Sequence, residues 1–111
     1  MAAILKNIIP RKLAESVQTT QYTAVGATAL ITKFTATNTS AANVVFSVNL
    51  VAVLNSPGAD SLVLKSRTIA PNETYNFPEL VGQVLQAGGY ISTLAGTSSV
   101  LTISASGQEI T

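Results

Sequence analysis

The chain reads as an all-β protein, a two-sheet antiparallel β-sandwich of jelly-roll or immunoglobulin-like type with about eight strands. Three observations predict this. Apolar and polar residues alternate with period two in segment after segment, as in strands with one buried face. Clusters of Gly, Pro, Asn, Ser and Thr interrupt those segments at short intervals. Almost nothing in the sequence has helical periodicity.

The first strand is expected from Ala3 to Ile9, closed by Pro10, and the second from about Lys12 to Thr23. Val25-Gly26-Ala27 makes a turn. Thr28 to Asn38 is the third strand, with Leu30, Phe34 and Ala36 on one face, Thr32 as the exception, and Ile31, Lys33, Thr35 and Thr37 on the other. Asn38 to Ala41 is a turn or loop. Asn43 to Leu54 has the clearest alternation: Phe46, Val48, Leu50, Ala52 and Leu54 share one face. Val45, Ser47, Asn49, Val51 and Val53 share the second, which begins polar and becomes apolar and is therefore expected to be covered at that end.

Asn55-Ser-Pro-Gly-Ala-Asp60 is a loop, because Pro fixes one turn dihedral and Gly permits the unusual one. Leu62 to Ile69 is a strand, Pro71 to Glu73 a tight connection, and Thr74 to Phe77 short and extended. Pro78-Glu79-Leu80-Val81 has the Pro and the acid of a first helical turn. Gly88-Gly89 is a turn, Tyr90 to Ala95 a strand, Gly96 to Ser99 a hairpin-like turn, and Val100 to Gln108 the last strand. There Leu101, Ile103 and Ala105 alternate with Thr102, Ser104 and Ser106.

The 111 residues make one domain, with residues 1–10 as an N-terminal strand or arm and 11–111 as the sandwich. With three Phe, three Tyr and no Trp, the core is light, and assembly with other subunits is expected to complete the burial. The opening segment lacks signal-peptide order: its apolar stretch is short, Lys6 interrupts it and no cationic region precedes it. No apolar run is long enough to span a bilayer, so no membrane partner is expected. Lys6, Arg11, Lys12, Lys33, Lys65 and Arg67 are scattered and lack interleaved aromatics, so no nucleic-acid partner is expected either.

The absence of His and Cys removes the imidazole that shuttles protons near neutrality and the thiolate that attacks or binds metal. It also excludes a disulfide framework and fits synthesis in a reducing cytosol. The acids Glu15, Asp60, Glu73, Glu79 and Glu109 each fall in a different segment, with no sign of a glycosidase pair. Lys65-Ser66 is a conceivable nucleophile pair, but neighbouring strand residues point to opposite faces. Loop 55–60 has one acid, too few for a good calcium site. Asn38-Thr-Ser40 and Asn72-Glu-Thr74 match the glycosylation triplet, which arises readily by chance in a Thr-rich chain. The expectation is a protein that is not an enzyme and holds no cofactor or metal.

The stretch from Ser66 to Ala95, with its Pro71-Asn-Glu-Thr74 turn and its Pro78-Glu-Leu-Val-Gly-Gln-Val-Leu85 segment, resembles small virion proteins of tailed bacteriophages. The closing Ser106-Gly-Gln-Glu-Ile110 and the earlier Thr35-Ala-Thr-Asn-Thr-Ser-Ala41 fit the same pattern. The likeness runs from Ile31 to Thr111. One departure is Gly88-Gly89, where the pattern has Gly-Asp. The resemblance implies a virion structural protein made in the host cytoplasm, most readily a capsid decoration or cement protein. It would contact the major capsid protein or other virion proteins and form a homo-oligomer, a trimer by preference. A tail or host-adsorption component is the alternative. Contacts are expected at Ile4, Leu5, Ile8 and Ile9, with Pro57 and Asp60 of loop 55–60. The segment Ala2 to Ile9 is either a core strand or an arm that adds to a neighbour's sheet edge.

Overall fold

A computed structural model describes residues 2–111. It contains nine strands: β1 (Ala3–Leu13), β2 (Thr19–Thr23), β3 (Thr28–Asn38), β4 (Val44–Val51), β5 (Leu62–Ile69), β6 (Thr74–Asn76), β7 (Val84–Leu85), β8 (Tyr90–Ala95) and β9 (Leu101–Ile110). A single 3-10 turn, Ala59–Ser61, precedes β5.

The pairs β1·β9, β2·β8, β3·β6 with β3·β7, and β4·β5 are antiparallel and nested, as in one long hairpin with its tip between β4 and β5. The hairpin is rolled up, so that β9 also pairs with β3 and β8 with β4. The result is a sheet ordered β1-β9-β3-β6, with β7 beside β3, facing a sheet ordered β2-β8-β4-β5. Of the two sandwich types expected, this order is the jelly roll.

All three phenylalanines meet in the core. Phe34 and Phe77 pack edge to face with centroids 5.3 Å apart, and Phe46 lies 5.8 Å from Phe77. Ile9, Ile31, Ile69, Leu80, Ile91, Leu101 and Ile103 fill the space around them, each fully buried. At one end, Asn38 is buried and fully used. Its amide donates to the carbonyls of Ala42 and Ile69, and its side-chain oxygen accepts from the Ser40 backbone and hydroxyl. That amide is therefore not presented as a glycosylation acceptor.

Bulges correct the alternation read from the sequence. In β3 an extra residue between Ile31 and Lys33 shifts the phase. Ala29 and Ile31 therefore face inward with Phe34 and Ala36, while Leu30 is only half-buried. In β1 a shift between Lys6 and Ile9 buries both Ile8 and Ile9. The second expected strand is divided: Lys12 and Leu13 end β1, a corner follows, and the chain crosses to the other sheet as β2. β4 stops at Val51, so Val53 and Leu54 belong to a turn. Leu54 therefore does not share a buried face with Phe46. After Phe77 the chain makes one tight turn, with the Leu80 and Val81 amides both donating to the Phe77 carbonyl.

Residues 2–10 lead into 11–111 along one strand. β1 runs unbroken through that boundary and pairs with β9 from Ala3 to Leu13. Met1 lies outside the described residues.

Candidate interaction site at one end of the sandwich

Strand length decides where the apolar surface emerges. β1, β3 and β9 have 11, 11 and 10 residues, whereas β2 and β8 have 5 and 6. The first sheet therefore overhangs the second, and at the β1 corner its inward row loses cover. Along the row Ile4–Glu109–Ala29–Leu85, Ala29 and Leu85 are buried, Glu109 is partly exposed and Ile4 is 57% exposed. On the opposite face, Leu5, Gln108, Leu30 and Val84 form the neighbouring row, with Leu5 81% exposed.

Three loops close the same end. Ala24 and the Gly88-Gly89 turn are tied by Gly88 N to Ala24 O at 2.6 Å and Ala24 N to Gly89 O at 2.8 Å. Gly88, at φ +88°, lies so close to Val53 that a Cβ there would sit 2.6 Å from the valine Cγ2. This backbone and this contact both require glycine. Around these loops stand Val25, Val53, Leu54, Val81 and Val84, all exposed. With Ile4 and Leu5 they make seven of the eleven exposed large aliphatic side chains among the described residues. The segments 24–27, 52–55 and 81–88 contain no charged residue. The charges closest in sheet register, Lys6 and Glu109, are 3.9 Å apart and offset each other.

Leu54 is the outermost point of this surface. It is 98% exposed and has φ +66°. The Asn55 amide donates to Ala52 O at 3.1 Å, so Leu54 is the third residue of a β-turn, where positive φ ordinarily calls for Gly or Asn. A left-handed leucine costs about 1–2 kcal/mol. The Tyr90 hydroxyl, donating to Asn55 O at 2.7 Å, ties the turn to β8. Beside it lies a depression of about 220 Å³ lined by Leu50, Val51, Ala52, Val53, Val84, Leu85, Gln86 and Gly89.

The residues expected at contacts divide into three groups. Ile4 and Leu5 lie at this apolar end. Ile8 and Ile9, 2% and 1% exposed, are core residues of β1 and are not presented to a partner. Pro57 and Asp60 are exposed, but their loop folds over the outer face of the β2-β8-β4-β5 sheet, away from Ile4 and Leu5. Asn49 holds it there, donating to Gly58 O and Ser61 Oγ, each at 3.0 Å, while Gln18 donates to Asn49 Oδ1 and Ser92 Oγ. Val25, Val53, Leu54, Val81 and Val84 were not among the expected contacts. The signal that could have found them is three loops rich in aliphatics and empty of charge.

The remaining polar groups serve local structure. Lys65 and Ser66, expected on opposite faces, line one depression together because Ser66 bulges at φ +52°. The Ser66 amide donates to Ser47 Oγ, and among the described residues no hydrogen bond joins the lysine to the serine hydroxyl. Glu15 binds Lys12 and Gln21, and the lysine's hydrogen bond followed by the glutamine's holds its carboxyl below the ordinary range. Glu73 accepts from the Ala70 amide, Glu79 from the Tyr75 hydroxyl and Glu109 from the Tyr22 hydroxyl. Burial, and then the Glu109 carboxylate, raise the Tyr22 phenol above its ordinary value. No group of three or more metal-ligating side chains occurs among the described residues. Comparison of the chain with protein-family models, with curated proteins and with solved structures found no match.

Proposed function

We propose that the chain is a structural protein of a tailed-bacteriophage virion, a decoration or cement protein that bridges capsid subunits on the head. The observation that carries this reading is the uncharged apolar end, where six exposed aliphatic side chains accompany a strained, outward-pointing leucine. Exposed apolar side chains gathered at one uncharged end point to an interaction site. The sequence likeness of residues 31–111 to small phage virion proteins supplies the setting. The jelly roll, which also builds viral capsid domains, is compatible with it by analogy of fold alone.

The mechanism is interfacial. Each copy buries its apolar end against a neighbour, and many identical weak contacts on a symmetric shell add up through effective concentration. A tail component that recognises a host surface would call for aromatic side chains free on loops. Here the Tyr22 and Tyr90 hydroxyls are bonded within the domain, and Tyr75 lies under Arg67 with the guanidinium 4.2 Å from its ring.

Gold-antibody labelling of intact virions tests the proposal. Label spread over the head supports a decoration role. Label confined to the tail overturns it in favour of the tail alternative, and unlabelled virions overturn the virion assignment altogether.

A further inference from the structure

We infer that the apolar end is covered by a second copy of the same chain, with Leu54 of one copy seated in the depression beside Val53 and Val84 of the other. This rests on the reading of the protein as one that works by assembly, and it names the partner of that site.

Three features of the surface point to a second copy. First, projection and recess lie on the same end. Leu54 is almost wholly exposed, and the depression begins at Ala52 and Val53 of its own turn. An engineered apolar cavity of about 150 Å³ admits a benzene ring, so the 220 Å³ here has room for an isobutyl group. Second, the end is electrically neutral. Loops 24–27, 52–55 and 81–88 have no charge, and Lys6 faces Glu109, so two such ends approach without repulsion. Third, the extent is right. A standard interface takes about 800 Å² from each partner, and seven aliphatic side chains exposed from about half to fully are on that scale.

The turn geometry adds to this. A position that favours glycine holds instead a leucine that packs against nothing in its own domain. The strain is fixed by the Asn55–Ala52 and Tyr90–Asn55 hydrogen bonds, which aim the side chain outward. Backbone strain persists where the surrounding structure enforces it, and such positions cluster at functional contacts. Pairing about a two-fold axis lets both leucines exchange at once, whereas a head-to-tail arrangement gives a ring where its rotation closes and a filament where it does not.

The test is sedimentation equilibrium of the purified full chain across a wide concentration range, for wild type, Leu54→Asp, Leu54→Gly and Val17→Asp. Leu54→Gly relieves the left-handed strain and so leaves the domain folded. Val17, also exposed, lies in the corner between β1 and β2 and serves as control. The expected result is a concentration-dependent oligomer for wild type and Val17→Asp. Both Leu54 variants should weaken it by at least roughly thirty-fold, the scale of a central anchor residue. A monomeric wild type overturns the inference, as does an oligomer whose dissociation constant ignores Leu54. Because no virion is present, the result is independent of the labelling experiment. Labelled heads with a monomeric protein refute self-pairing alone, and a Leu54-dependent oligomer upholds self-pairing wherever the label falls.

Discussion

Gly107→Ala separates two physical arguments that predict opposite signs. Gly107 lies in the central strand β9, paired with Lys6 of β1 on one side and Ile31 of β3 on the other. Its φ is not in the left-handed region, so backbone entropy alone favours alanine, by about 0.4–1 kcal/mol. The contacts say otherwise. A Cβ at 107 would stand 1.9 Å from the Leu30 carbonyl oxygen and 3.0 Å from its carbon. Carbon–oxygen contacts in sheets close at about 3.3–3.6 Å, so the strands must part by more than about 1 Å. They cannot part freely, because β3 and β1 both bulge beside this level of β9 and the ladder is held above and below. Overpacking costs about 1–3 kcal/mol, and the ladder hydrogen bonds lost nearby cost about 1 kcal/mol each. The net expectation is a destabilisation of about 1–4 kcal/mol, or a fall in Tm of roughly 5–15 °C for a domain of this size. Urea and thermal unfolding followed by circular dichroism measure it, with Gly58→Ala, whose Cβ would meet the Asp60 side chain at 3.3 Å and the Ser56 carbonyl oxygen at 4.0 Å, as control. A neutral or stabilising Gly107→Ala would refute the argument, and with it the close approach of β3 and β9.

The two halves of β1 should respond differently to truncation. Ile9→Ala removes a fully buried side chain and should cost about 2–5 kcal/mol, while Leu5→Ala should stay within about 0.5 kcal/mol in the monomer; equal urea midpoints for the two variants would contradict this. Asn38→Leu leaves the Ala42 and Ile69 carbonyls without their amide donors and should cost about 1–3 kcal/mol, to be read from the unfolding midpoint, with an unchanged midpoint counting against the buried network. For Tyr22, the folded-state pKa is raised, so its contribution is complete below the unfolded phenol value of about 10 and declines as pH rises beyond it, because the unfolded chain releases the proton first. Tyr22→Phe should therefore flatten the loss of stability from about pH 10 upward relative to wild type, and parallel stability–pH curves would show that the Tyr22–Glu109 contact contributes nothing.

The two-sheet sandwich was legible because alternation is a local property. Leu101, Ile103 and Ala105 face inward as their spacing requires, with Thr102, Ser104 and Ser106 outside. Phase failed wherever a bulge intervened, and a bulge is fixed by the partner strand. Ile31 was assigned to the wrong face because the extra residue of β3 compensates for Gly107, some 75 positions away. Thr32, which broke the alternation, was the local trace of that event, and its hydroxyl now donates to the Ser106 carbonyl. The Ser106-Gly-Gln-Glu-Ile110 segment has a physical reason as well. Its glycine allows the Leu30 carbonyl to approach, and its glutamate accepts from Tyr22 across the sheets.

The apolar end was only partly legible, for a reason of topology. Ile4 and Leu5 stand out in any reading of the sequence, and so do the aliphatic residues 81, 84 and 85. That they share one end with Val25 and Leu54 follows only once β1, β3, β7 and β9 are known to lie side by side, with the β4–β5 connection returning beside Gly88. The surface is therefore a consequence of unequal strand lengths. A sheet of ten- and eleven-residue strands lies over shorter strands at the β1 corner, and short uncharged loops cover only part of the excess. A monomer suited to exist alone would place Lys or Glu at such an edge. At this end β1 carries Lys6, already offset by Glu109, while Arg11 and Lys12 stand in its far half, and the outermost position is a leucine held in a strained turn. Solubility and local backbone energy both favour a different residue at 54, and burial against a second copy, as proposed above, would offset both.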